Sequence, residues 1–319
     1  MEYLYHYCGN IKCFSILQSK TIRLCDIRKS NDYNELQIFY PDIFNCVLKS
    51  YMNNPFPLTY SGKKDIDAMM ELLEFSQSLW EDRFLNGDFS NFVMCFSEGS
   101  DSLSQWRGYA DYGKGCCLGF SHDLLQQYCL NSKGVLRLEK VEYITDEQVV
   151  SMAEKYSNEA LMELRTLRQW IVDNMTYKNE DPDTDGLLSF NFNCLLENLI
   201  NDSLKYKSIG FNEENEWRLF LSNHAYKQPG WVCGNEQIDL GPNGFAETIA
   251  YLKNKIEFNI TSDDIIPYLP IKFSEFRNNP IEELWLGPKN KISKSDIELF
   301  IKQSGYENMN VIYSNISYR

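Results

Sequence analysis

The sequence has only three histidines and no Cys-x-x-Cys spacing. Because none of the histidines lies near a cysteine pair of metal-ligand spacing, we expect no metal site. A run of about 18 consecutive apolar residues, which a membrane-spanning helix needs, is missing. The first residues also lack the basic and apolar segments of a secretory signal, so we expect a cytoplasmic protein with no membrane partner.

Three common active-site motifs are missing as well. The sequence contains no Gly-x-Ser-x-Gly, which argues against a hydrolase with a nucleophile elbow. It contains no Gly-Lys-Ser/Thr of a phosphate-binding loop, and no Gly-x-Gly-x-x-Gly opens a helix. Gly113-x-Gly115 is followed by strand-like residues, so a dinucleotide-binding doubly wound sheet is disfavoured.

The composition is that of a globular protein. Of the 319 residues, 43% are hydrophobic and 24% are charged, which argues against disorder. The formal net charge of -14 disfavours non-specific binding along a nucleic-acid backbone. The ten cysteines are irregularly spaced, so we expect reduced and mostly buried thiols.

Strand and helix patterns alternate irregularly along the chain. Alternation or continuous apolar runs predict strands at 3–7, 21–25, 92–96, 115–120, 136–143, 216–221, 268–273, 284–290 and 310–313. Helical periodicity predicts helices at 10–17, 63–85, 121–129, 146–178, 185–207 and 293–303. This order favours an α+β fold with a mixed sheet. We interpret residues 1–319 as a single domain with a helical insertion at about 146–207.

The segment Asp101–Gly115 combines aromatic, charged and glycine residues between two apolar runs. It has no obvious core face, which is typical of a ligand pocket. Trp106, Tyr109 and Tyr112 can stack on a ligand or pack in the core, and the sequence leaves both open. Two cations of the same segment can meet phosphates or form surface ion pairs, namely Arg107 and Lys114.

A second polar cluster lies at Glu213–Arg218. On a strand beginning near Glu214, alternation would place Glu214, Glu216 and Arg218 on one face. Two carboxylates there can act as acid or base, or stabilise a developing positive charge. The alternative is a solvated edge strand with a Glu–Arg contact along the strand.

The third candidate lies at the start of the chain, where His6 is flanked by tyrosines. Alternation places Leu4 and His6 on one face of the strand and the tyrosines, including Tyr7, on the other. A histidine here is either a hydrogen-bonded core residue or a donor to a ribose hydroxyl or phosphate. Near the end, Gly287–Asn290 can present backbone N–H groups to an anion or form an ordinary turn.

Several segments taken together resemble one uncharacterised bacterial group, the domain-of-unknown-function family 2971. They are Leu4-Tyr-His-Tyr7, Asn31-Asp-Tyr-Asn-Glu35, Phe96-Ser-Glu98, Leu103-Ser-Gln-Trp-Arg-Gly-Tyr-Ala-Asp111, Gly113-Lys-Gly115, Glu216-Trp-Arg218 and Leu286-Gly-Pro-Lys289. The resemblance covers nearly the whole chain. It implies no particular activity.

The order of an early histidine, a middle aromatic segment and a late glutamate also resembles ADP-ribosyltransferases. The resemblance implies a fold like theirs, with NAD as the substrate. It assigns His6 to the ribose, Tyr109 or Tyr112 to the nicotinamide, Glu216 to catalysis and Glu214 to the first place of a Glu-x-Glu pair. The implied ligand-binding residues are His6, Tyr7, Trp106, Arg107, Tyr109, Tyr112, Lys114 and Arg218.

The same resemblance implies a bacterial NAD-consuming transferase or glycohydrolase, of the kind used as a toxin or defence effector. Its partners would be a small nucleotide and a protein or nucleic-acid acceptor. The alternative is a non-catalytic sensor module that binds a nucleotide or a partner through the same residues.

Overall fold

The computed structural model describes residues 2–29, 37–40, 42–81, 92–132, 136–175, 184–221, 255–260, 263–306 and 308–318. The segment Asn31–Glu35, which contributes to the family resemblance, and the third histidine, His224, lie outside these residues. Contacts divide the chain into two compact units. The first comprises residues 1–29, 91–141 and 210–319, and the second comprises 30–90 and 142–209.

The first unit is built on one mixed sheet, whose strands are numbered in chain order across the whole protein. The described strands are β1 (Tyr3–Cys8), β2 (Thr21–Asp26), β5 (Phe92–Ser97), β6 (Cys116–Ser121), β7 (Leu136–Lys140), β10 (Glu216–Leu221), β11 (Glu257–Ile260), β12 (Ile265–Lys272), β13 (Ile281–Leu286) and β14 (Asn310–Tyr313). Its helices are α1 (Asn10–Ser19), α4 (Leu103–Tyr109), α5 (His122–Asn131) and α8 (Lys294–Gln303).

The strand order of this sheet is β11-β12-β2-β5-β1-β6-β13-β14, and β10 pairs with both β5 and β7. The β13–β14 pair is parallel, and the other described pairs of this sheet are antiparallel. A mixed sheet combined with interleaved helices confirms the predicted α+β class.

One face of the sheet carries the main hydrophobic core. Leu4, Leu118 and Leu284 lie on this face of neighbouring strands and are fully buried. Buried side chains of α1, α5 and α8 belong to the same core. Burial of this apolar surface is the main favourable term in folding the first unit.

The second unit is mostly helical. Its elements are α2 (Asp42–Asn53), β3 (Thr59–Tyr60), β4 (Lys63–Lys64), α3 (Asp65–Trp80), β8 (Glu142–Ile144), α6 (Asp146–Met175), α7 (Thr184–Ser203) and β9 (Tyr206–Ser208). Helix α2 packs against α6, which also packs against α7. The two helices of the predicted insertion therefore cluster with residues 30–90.

Several predicted elements differ in detail from the structure. The helix expected over 185–207 ends at Ser203 and is followed by strand β9, and the strand expected over 284–290 is Ile281–Leu286 followed by a turn. The helix expected from Lys63 starts at Asp65, because Ser61 and Gly62 have positive φ and form the turn of the β3–β4 hairpin. The strand expected over 136–143 is two strands, since β7 pairs with β10 and β8 with β9. Helix α1 begins at Asn10, as predicted, and ends at Ser19, two residues beyond the predicted end.

Candidate functional site

One row of residues crosses five strands of the sheet at the level of Glu216. Ser97 on β5 lies directly opposite Glu216 on β10 and opposite Tyr5 on β1. Gly119 on β6 and Glu283 on β13 continue the row. Directly opposite residues of antiparallel strands direct their side chains to the same face. The side chains of this row therefore share one face, which we call the polar face.

Glu216 and Arg218 form an ion pair on the polar face. The Arg218 Nε donates to Glu216 Oε1 at 2.8 Å, and Nη2 donates to Oε2 at 3.3 Å. Only 5% of the Glu216 side chain and 1% of the Arg218 side chain are exposed. The contact along the strand is present, but β10 lies between β5 and β7 and is not a solvated edge.

Glu214 does not continue the strand as the sequence pattern suggests. It ends a 3-10 turn at Ile209–Glu214, and Asn215 has a φ of 43°. This left-handed backbone breaks the alternation, so β10 begins only at Glu216. Glu214 Oε1 instead accepts a hydrogen bond from the Tyr109 hydroxyl at 2.6 Å. Its backbone carbonyl accepts one from Ser97 Oγ at 2.7 Å.

His6 lies on the opposite face of the sheet from Glu216. It is the residue after Tyr5 on β1, and successive side chains of a strand point to opposite faces. Its ring meets Phe96 edge-on at 6.2 Å, and 8% of the residue is exposed. The structure therefore does not bring His6 and Glu216 to one pocket wall.

The His6 ring is held in one tautomer by a backbone contact. Its Nδ1 lies 2.9 Å from the carbonyl oxygen of Cys95. Because a carbonyl only accepts, Nδ1 donates its proton in this contact. Nε2 is buried and has no hydrogen-bond partner among the residues that the structure describes.

Tyr7 and Trp106 hold the segment Asp101–Gly115, which we call the motif segment, against the sheet. The Tyr7 hydroxyl donates to the Gly99 carbonyl at 2.7 Å and accepts from the Ser102 amide at 3.0 Å. Its ring packs edge-on against Trp106 at 4.8 Å, and burial raises the pKa of Tyr7. Trp106 is fully buried and donates its Nε1 to Asp101 at 2.7 Å. Trp106 therefore has the core-packing role that was one of its two alternatives, and Tyr7 packs with it.

Helix α4, which contains Trp106, is followed in the same segment by a strained turn at the protein surface. Asp111 and Tyr112 have φ values of 49° and 55°, a region that residues other than glycine rarely occupy. Tyr112 is 70% exposed. Arg107 and Lys114 are exposed as well. These three side chains are open to a ligand.

A polar and aromatic cluster at the other end of the row was not predicted. Glu283 Oε2 accepts hydrogen bonds from the Tyr5 hydroxyl at 3.2 Å and from Trp285 Nε1 at 2.8 Å. Tyr5 reaches Glu283 across β6 because Gly119 has no side chain: a Cβ there would lie 2.9 Å from Glu283 Cβ. Alternation of Glu283 and Trp285 is visible in the sequence, but their position beside Tyr5 depends on strand order.

The turn at Gly287–Asn290 uses its backbone N–H groups within the protein. Gly287 donates to the Gly115 carbonyl at 3.0 Å, and Lys289 donates to the Gly113 carbonyl at 2.8 Å. Asn290 closes the turn by donating to the Gly287 carbonyl at 2.9 Å. The ordinary-turn alternative therefore holds, and this turn offers no such donor to an anion.

Three further features, metal ligands, membrane-spanning helices and cysteines, concern the whole described part of the chain. No group of three or more His, Cys, Asp or Glu side chains there has the arrangement of a metal site. No helix there has both the length and the apolar character of a membrane span. The cysteines seen there are free thiols, half of them buried and half of them partly exposed: Cys8, Cys13, Cys116 and Cys117, then Cys25, Cys46, Cys95 and Cys129.

Comparison with known proteins gives one family. No curated protein and no solved structure matches the chain. The model of the family described as Protein of unknown function (DUF2971) matches residues 105–219, which run from α4 to β10 and include Trp106, Tyr109 and Glu216. Over this segment the match supports the resemblance of the chain to domain-of-unknown-function family 2971.

Proposed function

We propose that this protein consumes NAD, as an ADP-ribosyltransferase or an NAD glycohydrolase, with Glu216 as the catalytic carboxylate. The observation that carries the proposal is the buried Glu216–Arg218 pair at the β10 end of the polar face. A guanidinium at 2.8 Å favours the ionised carboxylate. Glu216 would then be a fixed negative charge in a site of low dielectric constant.

Such a charge suits cleavage of the bond between nicotinamide and ribose. The C1'–N bond breaks, its electron pair leaves with nicotinamide, and the ribose becomes an oxocarbenium-like cation. Water or an acceptor then adds to C1' and loses a proton. A carboxylate near the ribose stabilises charge that develops only in the transition state, so it accelerates the reaction.

The roles of the other predicted residues follow from their positions. Glu214 lies two residues before Glu216 and accepts a 2.6 Å hydrogen bond from Tyr109. We therefore assign Glu214 and Tyr109 to the rim of the site. The exposed Tyr112 is the aromatic that we assign to stacking on nicotinamide. Arg107 and Lys114 would meet the pyrophosphate.

The buried residues have a different part in the proposal. Tyr7 and Trp106 position the motif segment without touching the ligand. His6 is given no contact with ribose, because it lies on the other face. The resemblance to ADP-ribosyltransferases adds a bacterial defence effector or toxin as the proposed context, with a protein acceptor favoured over nucleic acid by the net charge of -14.

The test is release of nicotinamide from NAD by the purified full chain, measured by chromatography with and without a bacterial lysate as acceptor. Glu216→Gln should lower the rate by at least about 100-fold, the scale of losing one transition-state contact. The matched control is Glu298→Gln on the exposed side of α8, which should keep the wild-type rate. Equal activity of wild type and Glu216→Gln would remove Glu216 from the mechanism.

A second candidate function is non-catalytic binding of a nucleotide or a partner. The observation that favours it is that Arg218 contacts both oxygens of Glu216, as in a structural ion pair. Under this alternative, NAD or ADP-ribose raises the melting temperature of the protein and is recovered unchanged. Nicotinamide release by the wild type would rule it out.

A further inference from the structure

A pocket of about 520 Å³ lies in the second unit and is built by the end of α2, the segment between α2 and β3, and the start of α3. Its volume is in the range of small-molecule sites, which is about 300–1,000 Å³. The proposed function uses no residue of this unit, so an inference about the pocket is independent of it. All but one of the lining residues are apolar or aromatic: Tyr51, Met52, Pro55, Phe56, Pro57 and Ile66.

The inner wall of the pocket is fixed by contacts within the unit. The buried Tyr51 donates its hydroxyl to the Phe56 carbonyl at 2.7 Å, and the two rings meet edge-on at 5.2 Å. The Arg165 guanidinium lies 5.1 Å from the centre of the Phe56 ring and donates to the Asn54 carbonyl at 2.9 Å. A proline on each side of Phe56 restricts the backbone further. A wall that is already formed lowers the cost of ordering the site when a ligand binds.

Exposed apolar side chains form the rim of the pocket. Met52 is 64% exposed, and Ile66 is 37% exposed. The apolar surface continues along α3 to Met70, which lies one turn after Ile66 and is 44% exposed. Methionine side chains adapt to the shape of a ligand, and covering this surface removes it from water. The wall and the rim together favour a ligand with an apolar body.

Asp65 is the one charged residue that lines the pocket. It is the first residue of α3, and its amide donates to the Leu58 carbonyl at 2.7 Å. Its Oδ1 accepts a long hydrogen bond of 3.4 Å from the Leu58 amide. Within the described ranges no cation forms an ion pair with this carboxylate, and Lys63, two residues earlier, binds Glu71 instead. A carboxylate without a cation beside an apolar wall complements a ligand with one positive charge.

We propose that this pocket binds a small organic cation, whose aromatic or alkyl body ends in a protonated amine. The body lies against Phe56, Met52 and Ile66, and the ammonium group meets the Asp65 carboxylate. Burial of the body supplies most of the affinity. The ion pair at the exposed Asp65 adds less and sets the preference for a cation. A neutral ligand of the same shape binds more weakly, and an anion binds more weakly again because it meets a like charge.

Three probes that share one body and differ in charge test the proposal: phenylbutylammonium, phenylbutanol and phenylbutanoate. Each is titrated into the full chain, labelled for NMR at the methionine methyl groups. The Met52 resonance, assigned by its loss in Met52→Leu, reports on the pocket. We expect the ammonium probe to shift this resonance to saturation, with a dissociation constant about three- to fivefold lower than that of the alcohol. The carboxylate probe should bind more weakly than the alcohol.

Variants separate the charge from the apolar body. Asp65→Asn keeps the shape of the side chain, and asparagine tolerates the left-handed backbone at this position, where φ is 51°. In this variant the ammonium and alcohol probes should bind equally. Asp67→Asn changes an exposed carboxylate in the same turn of α3 that does not line the pocket, so this matched control should keep the preference. Ile66→Thr should weaken all three probes by about threefold and leave their order unchanged.

Three results would overturn the proposal. The first is a Met52 resonance that none of the probes shifts. The second is an alcohol that binds the wild type as tightly as the ammonium, which would make the pocket a site for neutral apolar ligands. The third is a preference for the cation that persists in Asp65→Asn. Nicotinamide release from NAD tests the proposed function separately, because none of these variants changes a residue assigned to it.

Discussion

Glu216 and Arg218 lie two residues apart on strand β10 and bind each other on the same face of the sheet, at 2.8 Å between Nε and Oε1. Strand β10 is paired on both sides and is not an edge strand, so neither side chain has the solvent exposure of an edge position. A charged pair in this position is costly to bury and very costly to break.

Removal of one partner of this pair should destabilise the protein strongly. Arg218→Met leaves the Glu216 carboxylate buried without its guanidinium, and we expect a loss of about 3–5 kcal/mol in the free energy of unfolding. Glu216→Gln keeps an acceptor for Arg218 but also removes the charge. Urea unfolding of both variants measures the losses. A loss below about 1 kcal/mol for Arg218→Met would contradict burial of the pair.

Two glycines of the motif should respond oppositely to alanine. A Cβ at Gly115 would lie 2.4 Å from the Cys8 carbonyl oxygen and 3.0 Å from the Ala110 carbonyl carbon, both backbone atoms. Gly115→Ala should therefore cost about 1–3 kcal/mol. Gly108 lies within α4 with nothing within 4 Å of its Cβ position, so Gly108→Ala should stabilise by about 0.5–1 kcal/mol.

Thermal unfolding monitored by circular dichroism distinguishes these two variants. A melting temperature that falls for Gly108→Ala, or is unchanged for Gly115→Ala, would contradict the described packing of the segment.

Loss of a buried hydrogen bond should exceed loss of a surface one in the same helix. Trp106→Phe removes the 2.7 Å bond to Asp101 and part of the packing on Tyr7, at an expected cost of about 1.5–3 kcal/mol. Tyr109→Phe removes the 2.6 Å bond to Glu214 at a residue that is 38% exposed. We expect less than about 1 kcal/mol there. Denaturant unfolding compares them, and equal losses would be inconsistent with this difference in burial.

Glu98 should make the stability of the first unit depend on acid pH. Burial alone would raise its pKa, but hydrogen bonds from Lys140 and Trp217 Nε1 lower the pKa below the ordinary 4.5. The folded state therefore binds this proton less readily than the unfolded state. The stabilisation is complete above pH 4.5 and is lost as the pH falls through the folded pKa.

Unfolding measured between pH 3 and 7 checks this sign, with Glu98→Gln for comparison. The variant should lose less stability on acidification than the wild type, by under about 1 kcal/mol because both partners are partly exposed. A steeper acid loss in Glu98→Gln would show that the pKa of Glu98 is not lowered.

Much of the fold was readable from local patterns. The strand at Glu216–Leu221 and the final strand at Asn310–Tyr313 have the predicted bounds, and α8 ends at Gln303 as predicted. Helix α4 was missed, because a short helix with one buried aromatic has no clear period. Glu214 was placed on the strand because alternation alone does not reveal a left-handed residue at Asn215.

Local sequence patterns do not predict which residues of the candidate site share a face of the sheet. Alternation correctly separates His6 from Tyr5 and Tyr7 on β1, yet it does not say which set shares a face with Glu216. That depends on the pairing of β1 and β10 with the same strand, β5, through Ser97. The contact between Tyr5 and Glu283 likewise needs β6 to lie between them.

The sequence by itself determined the α+β class and most strand positions, and it offered the Glu216–Arg218 contact as one alternative, because each follows from residues that are near in the chain. Only the tertiary structure decided that His6 lies on the core face of the sheet while Tyr5 lies on the polar face with Glu216. Pairing between strands far apart in sequence is set by long-range burial of whole faces, and that information is not contained in any one segment.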